Sequence, residues 1–329
     1  MIKEIVDTYP HMTDIHMTEG EKVVIRVNGI LQRIDEETSP DFFGELLDKY
    51  REKGKYEINH TLDVSGAVGK KRLRLHFYEE AGKRALAIRV LPDVSELPYD
   101  PDSVWLEELG RLPSGLVLIS GTAGSGKSTT LARIISSINQ NRACHIITME
   151  DPVEYIFPQS KALIHQKTVG KDVESFAEAV RDAMREDPDV LMIGEMRDAA
   201  TMKAALMAAE TGHLVFATVH NRKVSEAVGR IVHSFPTGEE SEMRQVLASV
   251  LRVIIAQTLW RHDEKTVLLR EILTNSPAVA NLIRTGKEEQ LSSYMETGNK
   301  YMRTFKQAVY RIQDVTTEEQ NDMLHHIGQ

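Results

Sequence analysis

Two kinds of hydrophobic pattern divide the chain. Up to about residue 98, apolar and polar positions alternate in short segments, the period of strands with one buried face. Lys22–Val27 and Ile30–Ile34 read as two such strands joined at Asn28–Gly29, a dipeptide suited to a tight hairpin turn. Asp41–Tyr50 has the spacing of an amphipathic helix, and Arg72–Phe77 with Arg84–Val90 flank Glu79–Lys83 as a second hairpin. Beyond residue 113 the pattern changes to short uninterrupted apolar runs at Leu116–Ser120, His145–Met149, Val190–Ile193 and Leu214–Val219. Helical stretches lie between them at Thr129–Ile138, Val173–Glu186 and Thr201–Ala209. That alternation predicts a parallel sheet covered on both faces. From about Ser225 the spacing reads as mainly helical, ending in an acidic, exposed tail.

The segment between the two regimes, Leu91–Pro113, holds Pro92, Pro98, Pro101 and Pro113, the composition of a linker. The expected organisation is a mixed α/β domain over residues 1–98, a linker over 99–113, and a second α/β domain with a helical C-terminal region over 114–329. At 329 residues each domain has room for its own core.

Composition narrows the classes. A formal net charge of -9 argues against a nucleic-acid groove as the main working surface. The single cysteine, Cys144, excludes an internal disulfide and a multi-cysteine zinc site and fits a reducing compartment. The first residues lack the charged-then-apolar order of a signal peptide. No apolar run approaches the roughly 20 residues needed to span a bilayer, so a membrane role requires docking rather than insertion.

The chemistry begins at Gly121-Thr-Ala-Gly-Ser-Gly-Lys-Ser128, which satisfies the GxxxxGK[ST] phosphate-loop pattern with a strand before it and a helix after it. The glycines let successive backbone N–H groups converge on phosphate oxygens, and the helix N-terminus adds its partial positive charge. Gly121, Thr122, Ala123, Gly124, Ser125, Gly126, Lys127, Ser128 and Thr129 are the nucleotide-binding candidates, with Lys127 reaching the β- and γ-phosphates and the Ser128 hydroxyl on Mg²⁺. The run His145–Met149 leads into Glu150, Asp151 and Glu154, and Val190–Ile193 leads into Gly194-Glu195. Two strands therefore deliver acids to the sheet edge where the phosphate loop lies. One acid to orient the attacking water and one on the Mg²⁺ side is what γ-phosphate hydrolysis requires. No Asn-Lys-x-Asp guanine element occurs, so ATP is preferred to GTP. His213 and His220 stand at the two ends of the Leu214–Val219 run, and His220, at the phosphate-facing end, is placed to sense a γ-phosphate. Arg72, Arg74, Arg84 and Arg89 read either as surface charge or as arginines that stabilise transition-state charge across a subunit interface.

These motifs, in this order, resemble the secretion-superfamily ATPases and, within them, the PilT-type pilus retraction motors. The match runs through Thr13-Asp14-Ile15-His16 with Arg26-Val-Asn-Gly29, the phosphate loop, the acidic box Glu150–Glu154, the Gly194-Glu195 strand end and the histidine box Thr211–His220. Pro277–Lys287 is similar to the family's C-terminal segment. The resemblance implies a PAS-like N-terminal domain, a RecA-like P-loop ATPase domain and a homohexameric ring with ATP and Mg²⁺ bound between domains. It assigns Glu154 to water activation with Glu150 assisting, Glu195 to the Mg²⁺ side, and His220 to the γ-phosphate. It selects Arg74 and Arg89 as the arginines given to a neighbouring subunit. Ala123, where relatives usually carry Thr, and Asn221-Arg222 after His220 depart from the pattern.

The function so implied is a cytoplasmic motor, peripheral at the inner membrane, that drives pilus retraction through a membrane platform protein, with a paralogous pilus ATPase as a further partner. The absence of a large extra N-terminal domain and of a four-cysteine zinc motif favours retraction over assembly or type II secretion. An accessory PilU-like ATPase and a weakly hydrolysing partner regulator are the alternatives. A DNA translocase is disfavoured by the acidic balance and the lack of a basic, aromatic-laced stretch.

Overall fold

A computed structural model describes residues 1–9, 12–27, 29–51, 61–69, 71–262, 265–298 and 301–328. It divides the chain into two compact units, Met1–Glu96 with Glu154–Ile156, and Leu97–Val153 with Phe157–Gln329.

The first unit runs α1 (Ile2–Thr8), β1 (Met12–Thr18), β2 (Lys22–Val27), β3 (Ile30–Glu37), α2 (Pro40–Arg51), β4 (Leu62–Val68), β5 (Lys71–Glu80) and β6 (Lys83–Leu91). Its strands form one six-stranded sheet in the order β3-β2-β1-β6-β5-β4, with antiparallel neighbours throughout. Alternation decides which side chains are buried. Ile15, Met17, Ile25, Leu73, Leu75, Leu86 and Ile88 form the core with Ile5 and Val6 of α1 and Phe43 and Leu47 of α2. The opposite face of the sheet carries the polar members of the same strands. Both expected hairpins are present, as β2–β3 and β5–β6; Asn28 of the first turn lies outside the described residues. β1 and β4 complete the sheet beyond what periodicity predicts.

The second unit runs α3 (Ser103–Leu109), β7 (Gly115–Ser120), α4 (Lys127–Asn141), β8 (His145–Glu150), β9 (Leu163–Thr168), α5 (Phe176–Ala183), β10 (Val190–Ile193), α6 (Ala199–Glu210), β11 (Leu214–Val219), α7 (Val224–Val232) and α8 (Glu240–Val250). Then follow β12 (Leu251–His262), β13 (Lys265–Thr274), α9 (Pro277–Arg284), α10 (Leu291–Glu296), α11 (Phe305–Tyr310) and α12 (Thr317–His326). The sheet order is β13-β12-β7-β11-β10-β8-β9, parallel except for the β12–β13 pair. Every residue of β7, β10 and β11 is buried, which is why these strands read as unbroken apolar runs.

Two segments hold more structure than the sequence predicts. The proline-rich segment 99–113, expected as a linker, carries α3 at its centre, which buries Trp105, Leu106 and Leu109, and Trp105 stacks on Tyr301. The region after Ser225 is helical in the main, as α7 to α12 show, but it also holds β12 and β13, a long hairpin at the sheet edge that the spacing does not predict. Leu251–Trp260 is apolar enough for either structure; pairing with β7 decides it. The acidic tail is the helix α12, N-capped by Thr316 and pinned to β12 by the Trp260 Nε1–Asp322 hydrogen bond at 2.7 Å.

Candidate active site

The parallel strands place their C-terminal ends along one edge of the second unit's sheet, and the strand order sets which chemistries are neighbours. Along β7-β11-β10-β8 the ends lead, in turn, to the phosphate loop, His220, Glu195 and Glu150.

The loop follows β7 and turns into α4 with Gly126 as the N-cap, at φ 87. Two of its glycines are obligatory for different reasons. Gly126 occupies the left-handed region that side chains resist. At Gly121 a Cβ would lie 2.4 Å from the Gln257 carbonyl oxygen and from Ser125 Oγ, so no other residue fits. Lys127 is buried, and its ammonium donates to the carbonyls of Gly121 at 2.7 Å and Thr122 at 2.8 Å. The Ser125 hydroxyl is buried without a hydrogen-bond partner among the described residues. A cradle of positive-φ glycines, an orphaned hydroxyl and a lysine held by its own loop fits a bound phosphate chain. Ser128 and Thr129 follow Lys127 in the first turn of α4.

Glu150 ends β8 and is buried, accepting hydrogen bonds from Thr148 Oγ1 at 2.7 Å and Gln166 Nε2 at 3.3 Å. Glu195 follows β10 by way of Gly194, whose N–H donates to the Met149 carbonyl at 2.7 Å. Its carboxylate is shared: one oxygen takes His220 Nε2 at 2.8 Å, and the other the guanidinium of Arg197. Arg197 also stands 3.9 Å from Asp151. His220 therefore contacts the Glu195 carboxylate directly. The loop after it is tied to the phosphate-loop strand by Ser120 Oγ, which donates to the Asn221 carbonyl at 2.6 Å. The Asn221-Arg222 departure is thus absorbed by backbone contacts, with Arg222 N donating to Glu226 at 3.0 Å.

Glu154 is exposed and lies four residues past the end of β8, in the short segment that belongs to the first unit, where Ile156 forms a bridge to Asp93. Arg74 and Arg89 also lie in the first unit, directly opposite each other on β5 and β6. Arg89 pairs with Asp14 at 2.9 Å and Arg74 approaches Asp63 at 3.7 Å. Together with Arg26, which sits opposite Asp14, they make a cross-strand row on the polar face.

Sequence reasoning missed Arg197, Gln257 and a pair on β13. Glu271 is buried on β13, accepting from Val224 N at 2.9 Å at the start of α7. Burial pushes its carboxyl up, against the hydrogen bonds it accepts from the Val224 and Phe305 amides. The available signal was a Gln and an Arg-Glu pair inside otherwise apolar strand runs; buried polar groups in such places are held by partners.

Comparison with known proteins agrees with this geometry. Residues 84–322 match the family described as type II/IV secretion system protein. The chain is 40% identical over 305 residues to the uncharacterised protein YggR of Escherichia coli, covering 91% of this chain and 93% of that one. It is 35% identical over 304 residues to the type IV pilus retraction ATPase PilT of Pseudomonas aeruginosa, covering 87% and 85%. A crystal structure of the pilus retraction motor PilT with bound ADP superposes with a TM-score of 0.85 at 37% identity, over 98% of this chain and 96% of that one. The two-unit architecture is therefore the expected one, a PAS-like N-terminal domain with a RecA-like ATPase domain, and the chain belongs to the type II/IV secretion ATPases, in their PilT-like branch.

Proposed function

We propose that this protein is an ATP hydrolase that powers type IV pilus retraction, acting as a homohexamer at the cytoplasmic face of the inner membrane. The observation that carries it is the sheet edge itself. A phosphate loop with its lysine in place, a histidine on the next strand end and a carboxylate on each of the two strand ends beyond it lie side by side.

In this reading water attacks the γ-phosphorus and the bond to the β–γ bridging oxygen breaks, releasing ADP and phosphate. Lys127 and the loop N–H groups hold the β- and γ-phosphates. Ser128, with Glu195 on the same side, would hold Mg²⁺, which would supply neutralising charge to the phosphates. Glu154 orients the water with Glu150 nearby. His220, joined to Glu195, reports on the γ-phosphate, and Arg74 and Arg89 of a neighbouring subunit add charge in the transition state. Among the described residues no helix is long and apolar enough to cross a membrane; in this reading a platform protein holds the ring at the membrane.

Steady-state hydrolysis by purified protein tests the enzyme. Glu154→Gln is expected to lower turnover by about 100-fold or more while nucleotide still binds; unchanged turnover removes Glu154 from its role. Deletion in the host tests the motor: retained, non-retracting pili support it, and bald cells reject it. The departures at Ala123 and Asn221-Arg222 favour one second reading, an accessory PilU-like ATPase. That reading predicts retraction that still proceeds in the deletion strain when a paralogous ATPase is supplied.

A further inference from the structure

Behind the phosphate loop lies a buried polar network that no step of hydrolysis uses. Gln257 on β12 donates from Nε2 to the Ser125 carbonyl at 2.7 Å and accepts from Thr130 Oγ1 at 2.9 Å. Its backbone oxygen is, with Ser125 Oγ, one of the two atoms that exclude a side chain at Gly121, and its Nε2 would stand 3.2 Å from a Cβ at Gly126. One residue therefore shapes the loop at three points.

Gln257 is in turn held by Arg270, its direct partner across the β12–β13 hairpin. Arg270 is 1% exposed. Its guanidinium donates to Thr130 Oγ1 at 2.9 Å and reaches Gln257 Oε1 at 3.5 Å. Its terminal nitrogens take Asp100 in a two-point contact at 2.6 and 2.7 Å, and Asp102 at 3.0 Å. Arg133 stands 3.6 Å from Asp100, and Arg303 also bonds Asp102. Burial pushes the Asp100 carboxyl up, but the Arg270 hydrogen bond and charge outweigh it and hold the group below the usual aspartate value. The pair therefore stays ionised at neutral pH.

A buried ion pair is a poor way to gain stability, since well-packed apolar residues of the same volume often do as well. What a guanidinium supplies instead is direction: several donors in a fixed planar fork. We propose that Arg270 is a positioning residue for the phosphate loop, acting through Gln257 and Thr130 and anchored by Asp100 and Asp102. The loop's shape is then set from the edge hairpin and from the first turn of chain in the second unit, as well as by α4. This rests on the reading of residues 121–128 as the nucleotide site.

Two substitutions and one measurement on the native protein test it. Gln257→Met keeps the volume and removes the brace. Arg270→Lys keeps the charge and removes the fork. Each is expected to raise the KM for ATP and the Kd for ADP about 10-fold, the size of one lost hydrogen bond to a preorganised site, with kcat changed by less than about threefold. A purely structural role lowers the melting temperature and leaves KM in place. Should either variant fail to fold, hydrogen exchange on the unaltered protein decides. Saturating ADP is expected to slow exchange around residues 97–102 and 257–270 as well as 121–130. Unchanged KM in folded variants, or ADP protection confined to 121–130, overturns the proposal. Wild-type protein that binds no ADP fails the nucleotide reading instead, and so separates the two.

Discussion

The two sheets use their residues in opposite ways. In the first unit β5 alternates, with Leu73, Leu75 and Phe77 buried and Arg72, Arg74 and His76 on the other face. In the second unit β7 buries every residue from Gly115 to Ser120. An antiparallel sheet with one covered face can carry functional side chains along the middle of its strands. A parallel sheet covered on both faces has no such positions, and its chemistry is confined to the strand ends. The phosphate loop, His220, Glu195 and Glu150 all obey that confinement. The arginine row of Arg26, Arg89 and Arg74 is what the open alternative permits.

The largest effect should come from breaking the strand-end chemistry. Lys127→Ala removes the buried ammonium that sits on Gly121 and Thr122. Turnover is expected to fall by about 1,000-fold, the usual cost of losing a preorganised group at developing charge, with weakened nucleotide binding. Fluorescent-nucleotide titration beside a phosphate-release assay checks both. Retained turnover would mean that the sheet edge is not the catalytic locus.

The mid-strand arginines should behave differently. Arg89→Ala is expected to lower kcat by about 100-fold to 1,000-fold, toward the lower range of arginine fingers, while nucleotide binding stays within about twofold. Since the proposal gives this arginine to a neighbour's site, mixing inactive Arg89→Ala with inactive Lys127→Ala should restore measurable turnover. Each mixed ring then holds interfaces with an intact loop on one side and an intact arginine on the other. No recovery in mixtures that co-assemble would place Arg89 in its own subunit's chemistry, or outside the chemistry altogether.

The sheet contrast also explains what the sequence made legible. Continuous apolar runs located β7, β8, β10 and β11, and local patterns located the phosphate loop and the acids beside it. Such features depend on neighbours in the chain. β12 and β13 were lost because an apolar run like Leu251–Trp260 suits a buried helix or a buried strand equally, and only pairing with β7 selects one. The packing of segment 99–113 was not legible because prolines signal a break in regular structure and carry no information about packing. Its role depends on Asp100 meeting Arg270, 170 positions away. Arg197 escaped for the same reason: its partner Glu195 is nearby, but the value of the contact lies in His220, just past the end of the next strand.

The smallest effect sharpens the contrast most. Asp14 sits in the arginine row, 2.9 Å from Arg89 and 4.0 Å from Arg26, and its side chain is mostly buried by them and by the sheet. Asp14→Asn keeps the shape and removes the negative charge that stands between the two arginines. Pairs at a sheet surface are worth about 1 kcal/mol or less, so the melting temperature should fall by no more than a few degrees. The fall should shrink in high salt if the pair acts through screened charge. Turnover separates two uses of the row. If Asp14 only relieves repulsion among the arginines, kcat stays within about twofold of wild type while stability drops, as for other exposed pairs. If it aims Arg89 toward a neighbouring site, kcat falls with little change in melting, and the loss vanishes in the Arg89→Ala background because the two substitutions then act on one contact. The double-mutant cycle, read in both stability and turnover, distinguishes a sheet face that merely tolerates arginines from one that directs them.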